Sequence, residues 1–166
     1  MRAVDDLRVR APLAVDGKRI WSLVRSEGVL EDNSAYGYLL LCTHFAAHGL
    51  VAERSGELAG FVTAYRPPDD PEALFVWQIG VAANARGCGL GRTMLVDLIR
   101  RPANRDARYL SATVAPGNGP SNRLFAAFAR VENVRLETRE GYAAELFPSA
   151  HEPEPMLRIG PLAARA

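Results

Sequence analysis

Apolar positions along the chain follow two periods, and where the period changes the elements change. Residues 7–10 alternate apolar and charged side chains, the period of a half-buried strand, and Pro12 ends the run. Ile20, Trp21, Leu23 and Val24 then recur at helical spacing from Asp16, with Gly28 suited to the residue just past a helix C-terminus. A second helix, capped by Asn33 or Ser34, carries Tyr36, Leu39, Leu40 and Thr43 and stops before Gly49. Residues 50–54 and 58–65 flank Ser55-Gly56 and read as a hairpin. A loop with Pro67, Pro68 and Pro71 leads to residues 74–81, an apolar run interrupted only by Gln78, which fits a strand buried on both faces. Leu90, Met94, Leu95, Leu98 and Ile99 then mark a helix with Arg92, Asp97 and Arg100 on its other side. A strand at 109–114, a stiff turn from Pro116 to Pro120, a helix from Ser121 through Leu124, Phe125 and Phe128, a strand at 134–138, a Gly141-Tyr142 turn and a last strand near 156–159 complete the chain. The order β-α-α-β-β-β-α-β-α-β-β is a mixed α/β order, neither the alternation of a doubly wound sheet nor all-β.

Composition narrows the class. With 166 residues, 48% hydrophobic and 23% charged, the chain fits one domain over 1–166, with flexible ends expected at 1–6 and 162–166. Its 20 basic and 19 acidic residues form no basic stripe, which argues against nucleic-acid and membrane-surface roles. Cys42 and Cys88 show neither CxxC spacing nor a neighbouring His cluster, so a reducing, cytoplasmic setting without a disulfide or bound metal is expected.

The candidate chemistry lies between the apolar run and the helix after it, in Arg86-Gly87-Cys88-Gly89-Leu90-Gly91. A strand, a glycine-rich turn and a helix start, in that order, set backbone N–H groups at the positive end of a helix dipole, where a phosphate can approach without meeting a Cβ. A P-loop would need Lys and then Ser or Thr where Arg92 and Thr93 stand. A dinucleotide fingerprint would need glycine at Arg92. What fits is Arg-x-x-Gly-x-Gly, and this segment resembles the acetyl-CoA-binding signature of the GNAT N-acetyltransferases. That resemblance implies a single-domain GNAT fold, a mostly antiparallel twisted sheet whose fourth and fifth strands splay apart to admit the pantetheine arm. It also implies cofactor contacts from Ile79, Val81, Arg86, Gly87, Cys88, Gly89, Leu90, Gly91, Arg92 and Asn118. In that family an Asn at the place of Asn118 is followed seven residues later by a Tyr that protonates the leaving thiolate. Here Phe125 stands there, and a phenyl ring has no proton to give.

A closer resemblance runs from about residue 7 to 161. The block from Glu27 through Glu31, Asn33, Ser34, Tyr36 and Tyr38 to Phe45, then Phe75-Val76-Trp77-Gln78, then His151-Glu152-Pro153-Glu154 and Arg158-Ile159-Gly160-Pro161, is similar to the diaminobutyrate acetyltransferases of ectoine biosynthesis. This implies transfer of acetyl from acetyl-CoA to the side-chain amine of L-2,4-diaminobutyrate by a metal-free homodimer. The implied substrate set is Glu31, Tyr36, Trp77, His151 and Glu154, with Glu152 as the weaker choice, and the catalytic set is Trp77, Ile79 and Glu154. The chain departs from that family at Glu31, commonly Asp, and at Gly117, commonly Ser.

The residues suit such a substrate on their own terms, because a small diamine needs carboxylates and an aromatic wall. A strand Trp is nevertheless more often core than site, and the carboxylates of residues 27–34 can equally favour the N-terminus of the following helix. Residues 151–155 leave two geometries open: a flat strand puts Glu152 and Glu154 on one face, whereas a polyproline II course aligns His151 with Glu154. Two other functions compete: a GNAT fold that binds acetyl-CoA without catalysis, as Phe125 suggests, and a GNAT enzyme for a polyamine, an aminoglycoside or a protein N-terminus.

Overall fold

The structure, a computed structural model, describes residues 7–28 and 33–164. Its elements follow the order read from the periodicities: β1 (Leu7–Arg10), α1 (Ala14–Glu27), α2 (Ala35–Thr43), β2 (Leu50–Arg54), β3 (Glu57–Tyr65), β4 (Ala73–Val81), α3 (Leu90–Arg100), β5 (Tyr109–Thr113), α4 (Gly119–Glu132), β6 (Arg135–Tyr142) and β7 (Glu154–Gly160). The seven strands form one sheet in the order β1-β2-β3-β4-β5-β7-β6. Every neighbouring pair is antiparallel except β4 and β5, which are parallel.

Strand alternation divides the core between the two faces. Val51 and Phe61 point to α1 and α2, where they pack with Ile20, Val24, Tyr38 and Leu41. Leu50, Ala52 and Val62 point the other way, into the larger cluster with Met94, Leu95 and Leu98 of α3 and Phe125 and Phe128 of α4. Ser34 caps α2, its hydroxyl accepting from the Gly37 N–H at 3.0 Å. Gly28 closes α1 at φ +61. Cys42 is buried, and burial pushes its thiol up to about 11.

The structure departs from the periodic reading at four places. Residues 74–81 are not uniformly buried: Trp77 is 44% exposed and Gln78 is 9% exposed. The cause is a bulge, since Thr63 pairs with Gln78 and Ala64 with Val76, leaving Trp77 without a partner on β3. The extra residue shifts the phase, so Gln78 faces α2 and accepts from the Tyr38 hydroxyl at 2.7 Å, while Leu74 and Val76 pack toward α3. Gly141 and Tyr142 are the end of β6 rather than a turn, again at an irregularity of the ladder. A Cβ at Gly141 would collide with the Glu154 carbonyl oxygen, so only glycine lets β6 approach β7 there. The fourth helix begins at Gly119, not Ser121, because Pro120 sits in its first turn, where no backbone donor is needed. At the far end of the chain Leu162 is packed down rather than loose: it is buried and its N–H donates to the Arg108 carbonyl at 2.7 Å.

A buried ionic cluster ties β1, α1 and β2 together. Arg10 donates to Asp16 at 2.6 and 3.0 Å and to Glu53 at 2.7 and 3.2 Å. Arg19 donates to the same two acids at 2.9 and 2.6 Å, and Asp16 also accepts from the Leu13 N–H at 2.7 Å. Burial disfavours the Asp16 anion, but the hydrogen bonds from Arg10, Leu13 and Arg19 outweigh it and hold the carboxyl below its ordinary range. Arg10 and then Arg19 do the same for Glu53. Both acids therefore add stability at pH above ordinary carboxylate values, and that contribution is lost as pH falls through their depressed folded values. Asp16→Asn, which leaves Arg10 and Arg19 to share one anion, should cost about 3 kcal/mol, toward the low end for a broken buried pair because both arginines keep some exposure. Calorimetry at neutral pH should then show a melting temperature about 6–12 °C lower, and the gap between variant and wild type should narrow in acid.

Candidate active site

The site is built where β4 and β5 part. They pair only from Ala73 to Phe75 against Tyr109 to Ser111. Beyond Phe75 the two strands share no ladder bond. The Ala82 N–H donates to the Ala59 carbonyl of β3. Alternation along the strand then directs the Gly80 N–H to β3 and those of Ile79 and Val81 to the open β5 side. Two cavities meet in this gap, and Ile79, Asn118 and Ser121 line both.

The first cavity, about 750 Å³, lies between α1, the end of β4, the start of α3 and the first turn of α4. Gly87 and Gly89 adopt φ +78 and +79, conformations that favour glycine. Gly89 is the N-cap of α3, and among the described residues no side chain caps that N-terminus. Its first intrahelical bond runs from the Thr93 N–H to the Gly89 carbonyl, so the N–H groups of Leu90, Gly91 and Arg92 have no partner inside the helix. An uncapped N-terminus facing a cavity is an anion site. Arg86 is fixed beside it: Nε donates to the Val81 carbonyl at 3.0 Å and Nη2 to Glu27 at 2.6 Å, while Glu27 also accepts from the Ala83 N–H at 3.1 Å. Glu27 was not among the residues the sequence singled out for this role. Arg86, Gly87, Gly89, Leu90, Gly91 and Arg92 all line the cavity. Cys88 does not, because its thiol turns back to donate to the Ala85 carbonyl at 3.1 Å, leaving only its backbone to face an anion. Asn118 reaches the cavity while its side-chain oxygen accepts from the Ser121 N–H at 3.2 Å.

The second cavity, about 540 Å³, opens on the other side of Ile79 and is lined by Trp77, His151 and Glu154. Glu154 is the first residue of β7, and its side chain is 21% exposed. The Thr113 hydroxyl donates to its Oε2 at 2.7 Å, and His151 Nε2 lies 3.8 Å from its Oε1. The His151 ring stacks on Phe147 with centroids 3.9 Å apart. His151 Nδ1 is 2.5 Å from the Glu152 carbonyl oxygen, a contact in which Nδ1 carries the hydrogen and Nε2 is left to face Glu154. Glu152 points elsewhere, over Gly117, where a Cβ would come within 2.5 Å of its Oε2. Of the two geometries open for residues 151–155, the structure has the one that brings His151 and Glu154 to the cavity.

Of the other expected substrate residues, Tyr36 is exposed and lines neither cavity, because Tyr38, about 200° away around α2, takes the inward face. Glu31 lies outside the described residues. Thr113, Phe147, Tyr65 and Tyr142 line the cavity without having been singled out. Their sequence signal was slight: Thr113 is a polar residue at the last position of a strand, and Tyr65 ends another. Among the described residues no cluster of His, Cys, Asp and Glu could hold a metal ion, and no helix is long and apolar enough to cross a membrane.

Residues 18–129 match the family model for acetyltransferases of the GNAT family. The chain is 41% identical over 157 residues to the L-2,4-diaminobutyric acid acetyltransferase of Shouchella clausii, covering 94% of this chain and 88% of that protein. It is also 41% identical over 162 residues to the Streptomyces coelicolor protein of the same name, covering 96% of this chain and 95% of that one. Among solved structures it is similar to the diaminobutyrate acetyltransferase EctA from Paenibacillus lautus, in complex with its substrate L-2,4-diaminobutyric acid and coenzyme A. That match has a TM-score of 0.91, 39% identity and coverage of 98% and 99% of the two chains.

Proposed function

The chain belongs to the acetyltransferase (GNAT) family and within it to the L-2,4-diaminobutyric acid acetyltransferases, and from that premise we propose that it moves acetyl from acetyl-CoA to the side-chain amine of L-2,4-diaminobutyrate, giving N4-acetyl-L-2,4-diaminobutyrate for ectoine biosynthesis. The observation that carries the reading is the meeting of an anion cradle and an acid-and-aromatic cavity at Ile79, where the β4 N–H groups face an open gap.

Acetyl-CoA supplies an activated thioester, and the cradle suits it. The unpartnered N–H groups of Leu90, Gly91 and Arg92, with Arg86 beside them, would hold the pyrophosphate. Ile79 and Val81 would offer their backbone N–H groups along the gap, and the Ile79 N–H would stabilise the oxyanion that develops on the acetyl carbonyl. Trp77 would form the aromatic wall of the amine pocket. Glu154, held by the Thr113 hydroxyl, would draw in the side-chain amine, and the nitrogen would attack from its deprotonated fraction. Glu31 is proposed as a further carboxylate for the substrate, supported by the family resemblance. The proposal extends to a cytoplasmic homodimer, for which the exposed Tyr36 and Leu39 of α2 and Phe45 just beyond it supply apolar surface.

Incubation with acetyl-CoA and a panel of amines, with free thiol measured, tests the reading. Diaminobutyrate should outrun polyamines, aminoglycosides and peptide N-termini, and thiol release with none of the amines would favour a cofactor-binding module. The pH dependence adds a second expectation. An ammonium has no lone pair, and the side-chain amine resembles that of Lys, near 10.4, so kcat/KM should rise about tenfold per pH unit from neutrality into the alkaline range. A bell centred near pH 6 would instead assign the base to His151. His44, the other histidine considered from sequence, is exposed beyond α2 and lines neither cavity.

A further inference from the structure

We propose that the Ser121 hydroxyl is the group that escorts the departing CoA sulfur, donating a hydrogen bond to it and passing it the proton shed by the attacking nitrogen. This rests on the reaction proposed above. When the C–N bond forms and the C–S bond breaks, the nitrogen must lose a hydrogen and the sulfur must gain one. Phe125, which faces the substrate cavity from α4, offers only carbon.

The two cavities narrow the choice of donor. Any group that serves both nitrogen and sulfur must sit where substrate and cofactor spaces join, and among the described residues only Ile79, Asn118 and Ser121 line both. Ile79 has no polar side-chain atom. The Asn118 side-chain oxygen is committed to capping α4, and its amide cannot both give and take a proton. Ser121 is left, and among the described residues no group hydrogen-bonds its hydroxyl. The other hydroxyls near the gap are placed otherwise: Thr113 donates to Glu154, while Tyr65 and Tyr142 line the substrate cavity alone. Ser121 also lies in the first turn of α4, a helix of 14 residues whose positive N-terminal end favours an anionic sulfur.

The step balances without a free alkoxide. As the C–S bond breaks, Ser121 Oγ gives its hydrogen to sulfur and takes one from the nitrogen of the new amide, so the serine ends as it began and the products are the amide and the neutral thiol. A hydroxyl that merely ionised would be a poor acid for a thiolate, whose conjugate thiol is near 8.5. A shuttle that gives and takes avoids that barrier.

Two readouts on Ser121→Ala and Ser121→Thr test the assignment, with wild-type turnover of diaminobutyrate as the internal control. If the wild type does not acetylate diaminobutyrate, the preceding functional reading fails. Given wild-type activity, Ser121→Ala should lower the single-turnover rate constant by about 100-fold or more, and Ser121→Thr, which keeps the hydroxyl, should restore it to within about threefold. Independently of activity, the ultraviolet absorbance of the thiolate reports ionisation of bound CoA. Loss of a hydrogen bond to the anion should raise that titration by about one pH unit in Ser121→Ala and leave it unmoved in Ser121→Thr. A Ser121→Ala rate within twofold of wild type, a thiol titration that does not move, or a threonine variant as impaired as the alanine one would each overturn the shuttle.

Discussion

Glu154→Gln should raise the KM for diaminobutyrate by roughly 30-fold to several thousand-fold while leaving acetyl-CoA affinity unchanged. The carboxylate is largely removed from solvent at the start of β7, where the Thr113 hydroxyl donates to it and the His151 ring lies beside it. A bound ammonium that loses such a partner forfeits about 2–5 kcal/mol, which converts to the stated range. The amide is nearly isosteric, so packing against Thr113 and His151 survives and the loss isolates charge. Glu152→Gln serves as the control. Its carboxylate lies over Gly117 and outside the cavity, so that variant should resemble wild type. A wild-type Glu154→Gln with a crippled Glu152→Gln would reverse the assignment.

Gly89→Val is expected to weaken acetyl-CoA binding about 100-fold or more without unfolding the chain. At φ +79 a β-branched residue is strained by about 1–2 kcal/mol, and its Cβ would point into the cradle, 3.5 Å from the Arg92 guanidinium. Relief of that strain displaces the N-terminal turn of α3 and with it the N–H groups of Leu90 and Gly91. Two lost hydrogen bonds to a charged phosphate, at about 1.5–3 kcal/mol each, give the expected factor. Among the described residues no other group crowds the position, so a melting temperature only a few degrees lower should accompany the loss. Titration calorimetry with unchanged affinity would remove the cradle from the account.

Much of this was legible in the chain because helical and strand periods change sharply at its glycines and prolines, and the cradle lies within one contiguous segment from Val81 to Arg92. The substrate cavity was less legible because it is assembled from distant elements. That Thr113 holds Glu154 depends on β5 and β7 lying side by side, with Thr113 paired to Met156, and no local pattern encodes that neighbourhood. The exposure of Trp77 depends on one unpaired residue opposite β3. A bulge leaves the apolar run looking continuous, so the same letters fit a fully buried strand. The choice between Glu152 and Glu154 was likewise open, since each precedes a proline and the sequence allows both courses. The placement of Tyr36 also depends on helix phase, since buried Tyr38 takes the inward face of α2 and leaves the Tyr36 ring exposed.

In the proposed reaction the cleft presents the side-chain amine of diaminobutyrate to a thioester lying against Ile79. Carbon-13 NMR of the product formed from acetyl-CoA labelled at the acetyl carbonyl tests it most directly, because the label reports which nitrogen carries the acetyl group. One labelled amide is expected, on the side-chain nitrogen, in amounts equal to the free thiol released. Label on the 2-amino group, or thiol released without any labelled amide, would contradict it.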